Sequence, residues 1–353
     1  MQLVKRNVAL MDGYVPGYQP GRGERAVKLN TNENPYPPSP AVEKALREID
    51  PAALRLYPDP AARDLRRTIA GVYGVAPENV FCGNGSDEII GLVFRTFLER
   101  DGIVLFPHPT YSLYRTQAEL HEIRFKAVET APDFRINTAD YLSYPGQVII
   151  LANPNPPAGT LLAPAELDAL AAAWPGLLVV DEAYIDFGGE TALPLVARHA
   201  NLLVVRTFSK SFSLCGARVG YAFGDPALIE ALDKTKDSYN LACVNQVMAA
   251  AAVSDYAYMQ ETARRIMADR EYLRERLVSL GFEAPPSYGN FLLVEHRRLG
   301  AAFIYQELAR RRIFVRYFNE RRLFNKLRIS VGTPGDIREL LAALGEILAD
   351  NGF

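Results

Sequence analysis

Lys210 lies in the run Arg206-Thr207-Phe208-Ser209-Lys210-Ser211-Phe212, with Arg218 eight residues downstream and Asp181-Glu182-Ala183-Tyr184 upstream. A lysine placed after the apolar run Leu202 to Val205 and before a turn of small residues is well placed at a pocket floor. There its amine suits Schiff-base chemistry better than the role of a solvated charge. Asp181 closes another apolar run, Leu177 to Val180. Its carboxylate should emerge at the carboxyl end of a strand, where open α/β sheets bind ligands. An amine together with a carboxylate that can pair with a pyridinium nitrogen is the arrangement pyridoxal phosphate needs. A lone Ser-Lys would carry no such implication; the ordered set does.

Further segments could serve the same chemistry. Gly83-Asn84-Gly85-Ser86-Asp87-Glu88 follows a short apolar run and opens a helical pattern. Its glycines and the free N–H groups of a helix start can hold a phosphate, or the segment is an ordinary turn with Ser86 as N-cap. Tyr111, after Pro107-His108-Pro109-Thr110, either stacks on a flat ring or is a half-buried aromatic with a wet hydroxyl. Asn155, in Asn153-Pro154-Asn155-Pro156-Pro157-Ala158-Gly159, is held rigidly by its prolines, in a functional turn or a bland one. Arg218 is a fork donor suited to a phosphate, with a surface salt bridge as its alternative. Most of the basic residues between Arg310 and Arg328 read as solvated charges. Arg316 and Arg328 differ, because each sits in an apolar strand-like run and must pair or face a cleft. Anion binding is the favoured reading for both.

The elements that would position these groups follow from periodicity. From about Ala41 to Asp255 helical patterns alternate with the continuous apolar runs Ile103–Phe106, Val148–Ala152, Leu177–Val180 and Leu202–Val205. Such runs predict a parallel sheet buried on both faces. A long helix over Gln260–Leu280, then strands at Phe291–Val294 and Leu327–Val331 among helices, predicts an α+β C-terminal unit. The first forty residues read as an ordered arm, with prolines that forbid a long helix around Asn32-Glu33-Asn34-Pro35.

With 353 residues, 49% of them hydrophobic, the chain can bury a large core and a second, smaller one. A net charge of −2 gives no global attraction to nucleic acid or to an anionic membrane. Cys82, Cys215 and Cys243 form no C-x-x-C pair and the four histidines are scattered, so neither a disulfide framework nor a metal centre is expected. The N-terminal apolar stretch is too short for a signal or a membrane span, and the cytoplasm is the expected compartment.

Taken in order, these segments resemble the pyridoxal-phosphate aminotransferases of the aspartate aminotransferase fold and, among them, the histidinol-phosphate branch. The likeness runs nearly end to end through Leu29-Asn30-Thr31-Asn32-Glu33-Asn34-Pro35, Leu56-Tyr57-Pro58-Asp59, Gly85-Ser86-Asp87-Glu88, Pro109-Thr110-Tyr111, Asp181-Glu182-Ala183-Tyr184, Thr207-Phe208-Ser209-Lys210 and Leu327-Arg328-Ile329-Ser330-Val331-Gly332-Thr333. The resemblance implies an α/β protein of pyridoxal-phosphate fold type I. Its large domain (41–255) would carry a mostly parallel sheet flanked by helices, and its small α+β domain (256–353) would be joined by the arm (1–40), with the active site between them.

The resemblance also implies roles. Lys210 would hold pyridoxal 5'-phosphate and later move the proton, Asp181 would pair with the ring nitrogen, and Tyr184 would hydrogen-bond the ring oxygen while Tyr111 stacks on the ring. Ser86, Asp87, Ser209 and Arg218 would build the phosphate site, and Tyr57 would reach the cofactor of the neighbouring subunit in a homodimer. Arg328, assisted by Arg316, would grip the substrate anion, and Tyr18 and Glu33 would close over it. The family's Asn-Pro-Asn-Asn-Pro-Thr-Gly departs here, with Pro156 in place of its ring-oxygen asparagine and Ala158 in place of its threonine. Either Asn155 takes over that contact or Tyr184 carries it alone. The implied reaction is transamination of histidinol phosphate with 2-oxoglutarate. An aromatic amino-acid aminotransferase and a threonine-phosphate decarboxylase are the alternatives on the same scaffold, and a regulator with an added DNA-binding domain is the non-enzyme alternative.

Overall fold

The computed structural model describes residues 3–13, 17–21 and 23–353. Seven strands form the main sheet: β1 (Val80–Gly83), β2 (Ile103–His108), β3 (Arg124–Glu129), β4 (Val148–Ala152), β5 (Leu177–Asp181), β6 (Leu202–Thr207) and β7 (Gly220–Phe223). They lie in the order β1-β7-β6-β5-β4-β2-β3. Only β7 runs antiparallel to its neighbours.

The continuous apolar runs become central strands for a simple reason. Successive side chains point to opposite faces, so Ile149, Leu151, Leu178, Val180, Leu202 and Val204 feed one core cluster. Val148, Ile150, Leu177, Val179, Leu203 and Val205 feed the other. Parallel neighbours then carry their carboxyl ends to one edge. Asp181 closes β5 beside Ala152 of β4 and Val205 of β6 in the registered ladder.

A four-stranded antiparallel sheet stands in the C-terminal part, built on Phe291–His296. Leu327–Ser330 pairs with one side of that strand and Arg316–Tyr317 with Leu327–Ser330 in turn. Residues Val27–Lys28 pair in parallel with Ile313–Phe314, which ties the N-terminal arm to this part of the chain. The backbone continues along it, with Ser330 N–H donating to Leu29 O at 2.9 Å.

The structure departs from the sequence expectation in several elements. Strand β3 was not expected, because as an edge strand it alternates with Arg124, Lys126 and Glu129 instead of running apolar. Strand β7 is short and glycine-led, so it lacks a run to read. The long helix spans Tyr256–Ser279, beginning earlier than the expected Gln260. A further helix, Cys243–Ser254, precedes it, the arm contains the helix Arg6–Leu10, and Pro40–Glu48 forms a helix where the arm meets the large unit. Among the described residues no helix is long and apolar enough to cross a membrane.

Candidate active site

A cleft of about 350 Å³ opens where the carboxyl ends of β2, β4, β5 and β6 face the small sheet. Asp181 lies on its floor, 4% exposed. Its carboxylate accepts the Tyr114 hydroxyl at 2.7 Å and the Ala183 N–H at 3.1 Å. Burial drives its pKa up to about 6, against the pull of those two donors. Among the described residues no cation pairs with it, so this buried carboxylate offers a place for a positive charge on a ligand.

Lys210 follows β6 and points its amine into the same cleft, donating to Thr31 O at 3.1 Å and standing 5.7 Å from the Tyr184 ring centre. The turn that carries Lys210 is held from the arm, where Asn34 Nδ2 donates to Lys210 O and Ser211 O. Asn32 Nδ2 donates to the Tyr184 hydroxyl at 3.1 Å. Asn32 adopts a left-handed backbone, φ 55°, and is fixed by Ser330, whose hydroxyl bonds both its side chain and its N–H.

Ser86, Asp87, Ser209, Arg218 and Tyr111 meet at the other end of the floor. Arg218 donates to Ser209 Oγ at 3.2 Å and to Asp87 Oδ2 at 2.9 Å, and the Tyr111 hydroxyl donates to Asp87 Oδ1 at 3.1 Å. The helix Ser86–Phe97 starts at Gly85 without a side-chain cap. Its first N–H groups and the adjacent guanidinium make an anion cradle. Two glycines keep that cradle open. Gly85 has φ +82°, and a Cβ there would lie 2.7 Å from Arg218 Nη2. A Cβ on Gly220 of β7 would lie 2.3 Å from the Ser86 nitrogen. Arg218 is itself left-handed, φ 48°, the kind of strained backbone that clusters at functional sites.

The opposite wall is cationic. Arg316 and Arg328 are direct cross-strand partners and both line the cleft. Two guanidiniums placed opposite each other on neighbouring strands give this wall its positive charge. Arg328 Nη2 donates to Asn30 O at 3.0 Å, and its guanidinium lies 5.5 Å from the ring centres of both Phe291 and Phe318.

Four expected residues lie outside this lining. Asn155 is buried with its side chain committed elsewhere, accepting from Thr110 Oγ1 at 2.6 Å and donating to Pro109 O at 3.0 Å. Its prolines hold it rigidly, but against the Pro109 turn. Tyr18 stacks on Phe314 and donates to Glu24, and Glu33 is held by Lys28 and Thr31. Tyr57 is 80% exposed and stacks on Tyr239.

Sequence reading missed Tyr114, Asn32 and the buried ion pair of Glu182 with Arg206 that braces β5 against β6.

The family model for aminotransferase class I and II matches residues 24–344. The chain is 47% identical over 349 residues to histidinol-phosphate aminotransferase 1 of Burkholderia pseudomallei, covering 97% of this chain and 98% of that protein. It is 46% identical over 345 residues to histidinol-phosphate aminotransferase 1 of Bradyrhizobium diazoefficiens, covering 97% and 98%. The crystal structure of histidinol-phosphate aminotransferase from Sinorhizobium meliloti in complex with pyridoxal-5'-phosphate superposes with a TM-score of 0.90 at 26% identity, covering 100% of this chain and 99% of that one. With a sheet edge that gathers Lys210, Asp181 and Arg218 in one cleft and a match along nearly its whole length, the chain belongs to the class I and II aminotransferase family.

Proposed function

We propose that the protein transaminates L-histidinol phosphate with 2-oxoglutarate on pyridoxal 5'-phosphate, giving imidazole acetol phosphate and glutamate in histidine biosynthesis. The observation that carries this reading is the facing pair Arg316 and Arg328 on the wall opposite a floor that holds Lys210 and Asp181. Two planar guanidiniums suit a phosphate dianion, which offers several acceptor oxygens at once. The relatives that share nearly half its residues over their full length are named for the same activity.

The floor fits pyridoxal 5'-phosphate on three counts. The cradle of Gly85, Ser86, Ser209 and Arg218 suits its phosphate, the buried Asp181 carboxylate suits its ring nitrogen, and the Lys210 amine suits its aldehyde. When bound, the cofactor supplies that aldehyde for an amino group and a ring that withdraws electrons from the bond being broken. Lys210 Nζ moves the proton to and from the substrate carbon. Asp181 keeps positive charge at the ring-nitrogen end, and Asp87 orients Arg218 and Tyr111, which covers the ring. Tyr184, whose hydroxyl Asn32 holds, serves the ring oxygen, a contact that Asn155 leaves to it because its own carboxamide is spent on Thr110 and Pro109.

Tyr18 and Glu33 belong to the arm beside the cleft-lining Gly17, Asn30 and Asn32, and they close over the bound substrate. The chain divides into the arm (1–40), a large unit (41–255) and a small unit (256–353), a division supported by the pairing of Val27–Lys28 with Ile313–Phe314. The active form is a homodimer in which Tyr57 reaches the partner's cofactor phosphate, supported by the exposed apolar group Leu54, Leu56, Tyr57 and Tyr239. The thiols Cys82, Cys215 and Cys243 suit a reducing cytoplasm.

The test is a comparison of amino donors. Arg316→Ala should lower kcat/KM for histidinol phosphate by about 30-fold or more, the loss expected for removing one partner of a desolvated charge pair. It should affect phenylalanine far less, whereas Arg328→Ala should impair both. Equal losses in Arg316→Ala, or release of carbon dioxide from threonine phosphate by the wild type, would overturn the reading.

A further inference from the structure

The loop between strands Arg316–Tyr317 and Leu327–Ser330 makes contacts that the site described above does not use. Arg322 leaves the small sheet and reaches the carboxyl edge of the large one. Its guanidinium donates to the carbonyls of His108 at 3.3 Å, Thr130 at 2.9 Å and Ala131 at 2.6 Å, and to Thr130 Oγ1 at 2.9 Å. It pairs with Glu129 at 3.2 Å and lies 4.9 Å from the Phe134 ring centre. His108 is the last residue of β2 and Glu129 the last of β3.

Leu323, next in sequence, is buried in an apolar cluster separate from the two main cores, together with Ala158 and Leu293 and with Phe134 and Phe318 packed against it. Ala158 and Phe134 come from the large-sheet side and the other three from the small-sheet side. At the base of the loop, Lys326 and Asn325 both bind Glu295. Phe318, Glu320 and Leu323 line the cleft.

We infer that Arg322 is a positioning residue that clasps the loop Phe318–Lys326 to the ends of β2 and β3, and so fixes the distance from Arg316 and Arg328 to the floor that carries Lys210 and Asp181. What the two arginines hold rests on the proposed function; the clasp does not. The acceptors are mostly backbone carbonyls at the ends of paired strands, which cannot shift without disturbing the sheet edge. Nη1 shares its two N–H groups among the His108, Glu129 and Thr130 acceptors while Nη2 donates to Ala131 O, and a lysine ammonium cannot place donors at both nitrogen positions. The ion pair with Glu129 is a minor part of the clasp, because that carboxylate is largely exposed and screened. Ala158 serves the same end, since a threonine there would bring a hydroxyl into the apolar cluster.

The experiment uses the cofactor-loaded enzyme and four variants: Arg322→Ala, Arg322→Lys, Leu323→Ala and Glu129→Gln. Steady-state kinetics with histidinol phosphate are measured beside hydrogen exchange of residues 129–134 and 318–326 without substrate. Arg322→Ala should raise KM about tenfold while kcat stays within about twofold, and both segments should exchange faster. Leu323→Ala should move both readouts the same way, Arg322→Lys should recover part of the loss, and Glu129→Gln should stay within about twofold of the wild type. Unchanged exchange in Arg322→Ala would overturn the clasp for any substrate, and a fall in kcat at constant KM would overturn the positioning role. A wild type inactive on histidinol phosphate would refute the proposed function instead, while the exchange data would still decide the clasp.

Discussion

Burial at the end of β5 pushes the Asp181 carboxyl up to about 6, whereas an unfolded aspartate titrates near about 3.9. Between those values the folded cofactor-free protein holds a proton that the unfolded chain has released. The stabilisation from this group is therefore complete below about pH 4 and is lost as pH rises through about 6. Relative to Asp181→Asn, the cofactor-free wild type should lose stability over that window, by at most about 2–3 kcal/mol. Urea denaturation at a series of pH values measures it, and a pH-independent difference would mean that the carboxyl titrates normally. Adding pyridoxal 5'-phosphate should flatten the difference, since a positive ring nitrogen favours the ionised carboxylate. Lys210 and Asp181 were legible in the sequence because Asp181 closes one continuous apolar run and Lys210 follows another within a short turn of small residues. Tyr114, which donates to Asp181, and Asn32, which holds the Tyr184 hydroxyl, take their roles from partners 67 and 152 residues away. No local pattern encodes such a meeting.

At the scale of elements, the phosphate end depends on how closely β7 approaches the start of the helix Ser86–Phe97. A methyl group on Gly220 would meet the Ser86 nitrogen at 2.3 Å and the Gly85 carbonyl carbon at 2.5 Å, both backbone atoms that cannot rotate away. Gly220→Ala must therefore push β7 from β1 or displace the helix start. It should cost about 1–3 kcal/mol of stability, the usual penalty for overpacking, and weaken pyridoxal 5'-phosphate binding by about tenfold. Gly216→Ala, where nothing lies within 4 Å of the added Cβ, is the matched control and should change neither. Denaturation midpoints and an absorbance titration with the cofactor read both effects, and equal behaviour of the two variants would refute the close-approach argument. The same elements show the limit of periodicity. Strands β4, β5 and β6 announce themselves because both faces are buried. The edge strand β3 and the antiparallel β7 do not, because one is half solvated and the other is too short and glycine-led to show a run. The loop Phe318–Lys326 was likewise read as a patch of solvated charge, since nothing in its composition separates Arg322 from Arg321.

Across the whole molecule, the cleft gathers its walls from the arm, the large sheet and the small sheet, and the proposed homodimer adds a fourth contributor. Tyr57 is exposed in its own chain and stacked on Tyr239, with Leu54 and Leu56 exposed beside it. Tyr57 lies outside its own chain's cleft lining and is tied to no arm segment beside that cleft, a placement that suits completion of a partner's site. Mixed dimers separate these cases. Tyr57→Ala and Lys210→Ala should each be severely impaired alone, the first through cofactor phosphate binding and the second through loss of the amine. In a mixed dimer, the subunit that keeps Lys210 receives Tyr57 from the Lys210→Ala partner, and that one site is whole. Random reassortment of equal amounts makes half of the dimers mixed, each with one whole site of two, so about a quarter of wild-type activity should return. Unfolding and refolding the two variants together, beside the same variants refolded apart and then mixed, measures the recovery. If Tyr57 acted within its own chain, every mixed dimer would hold two defective sites and co-refolding would return nothing beyond the average of the two variants.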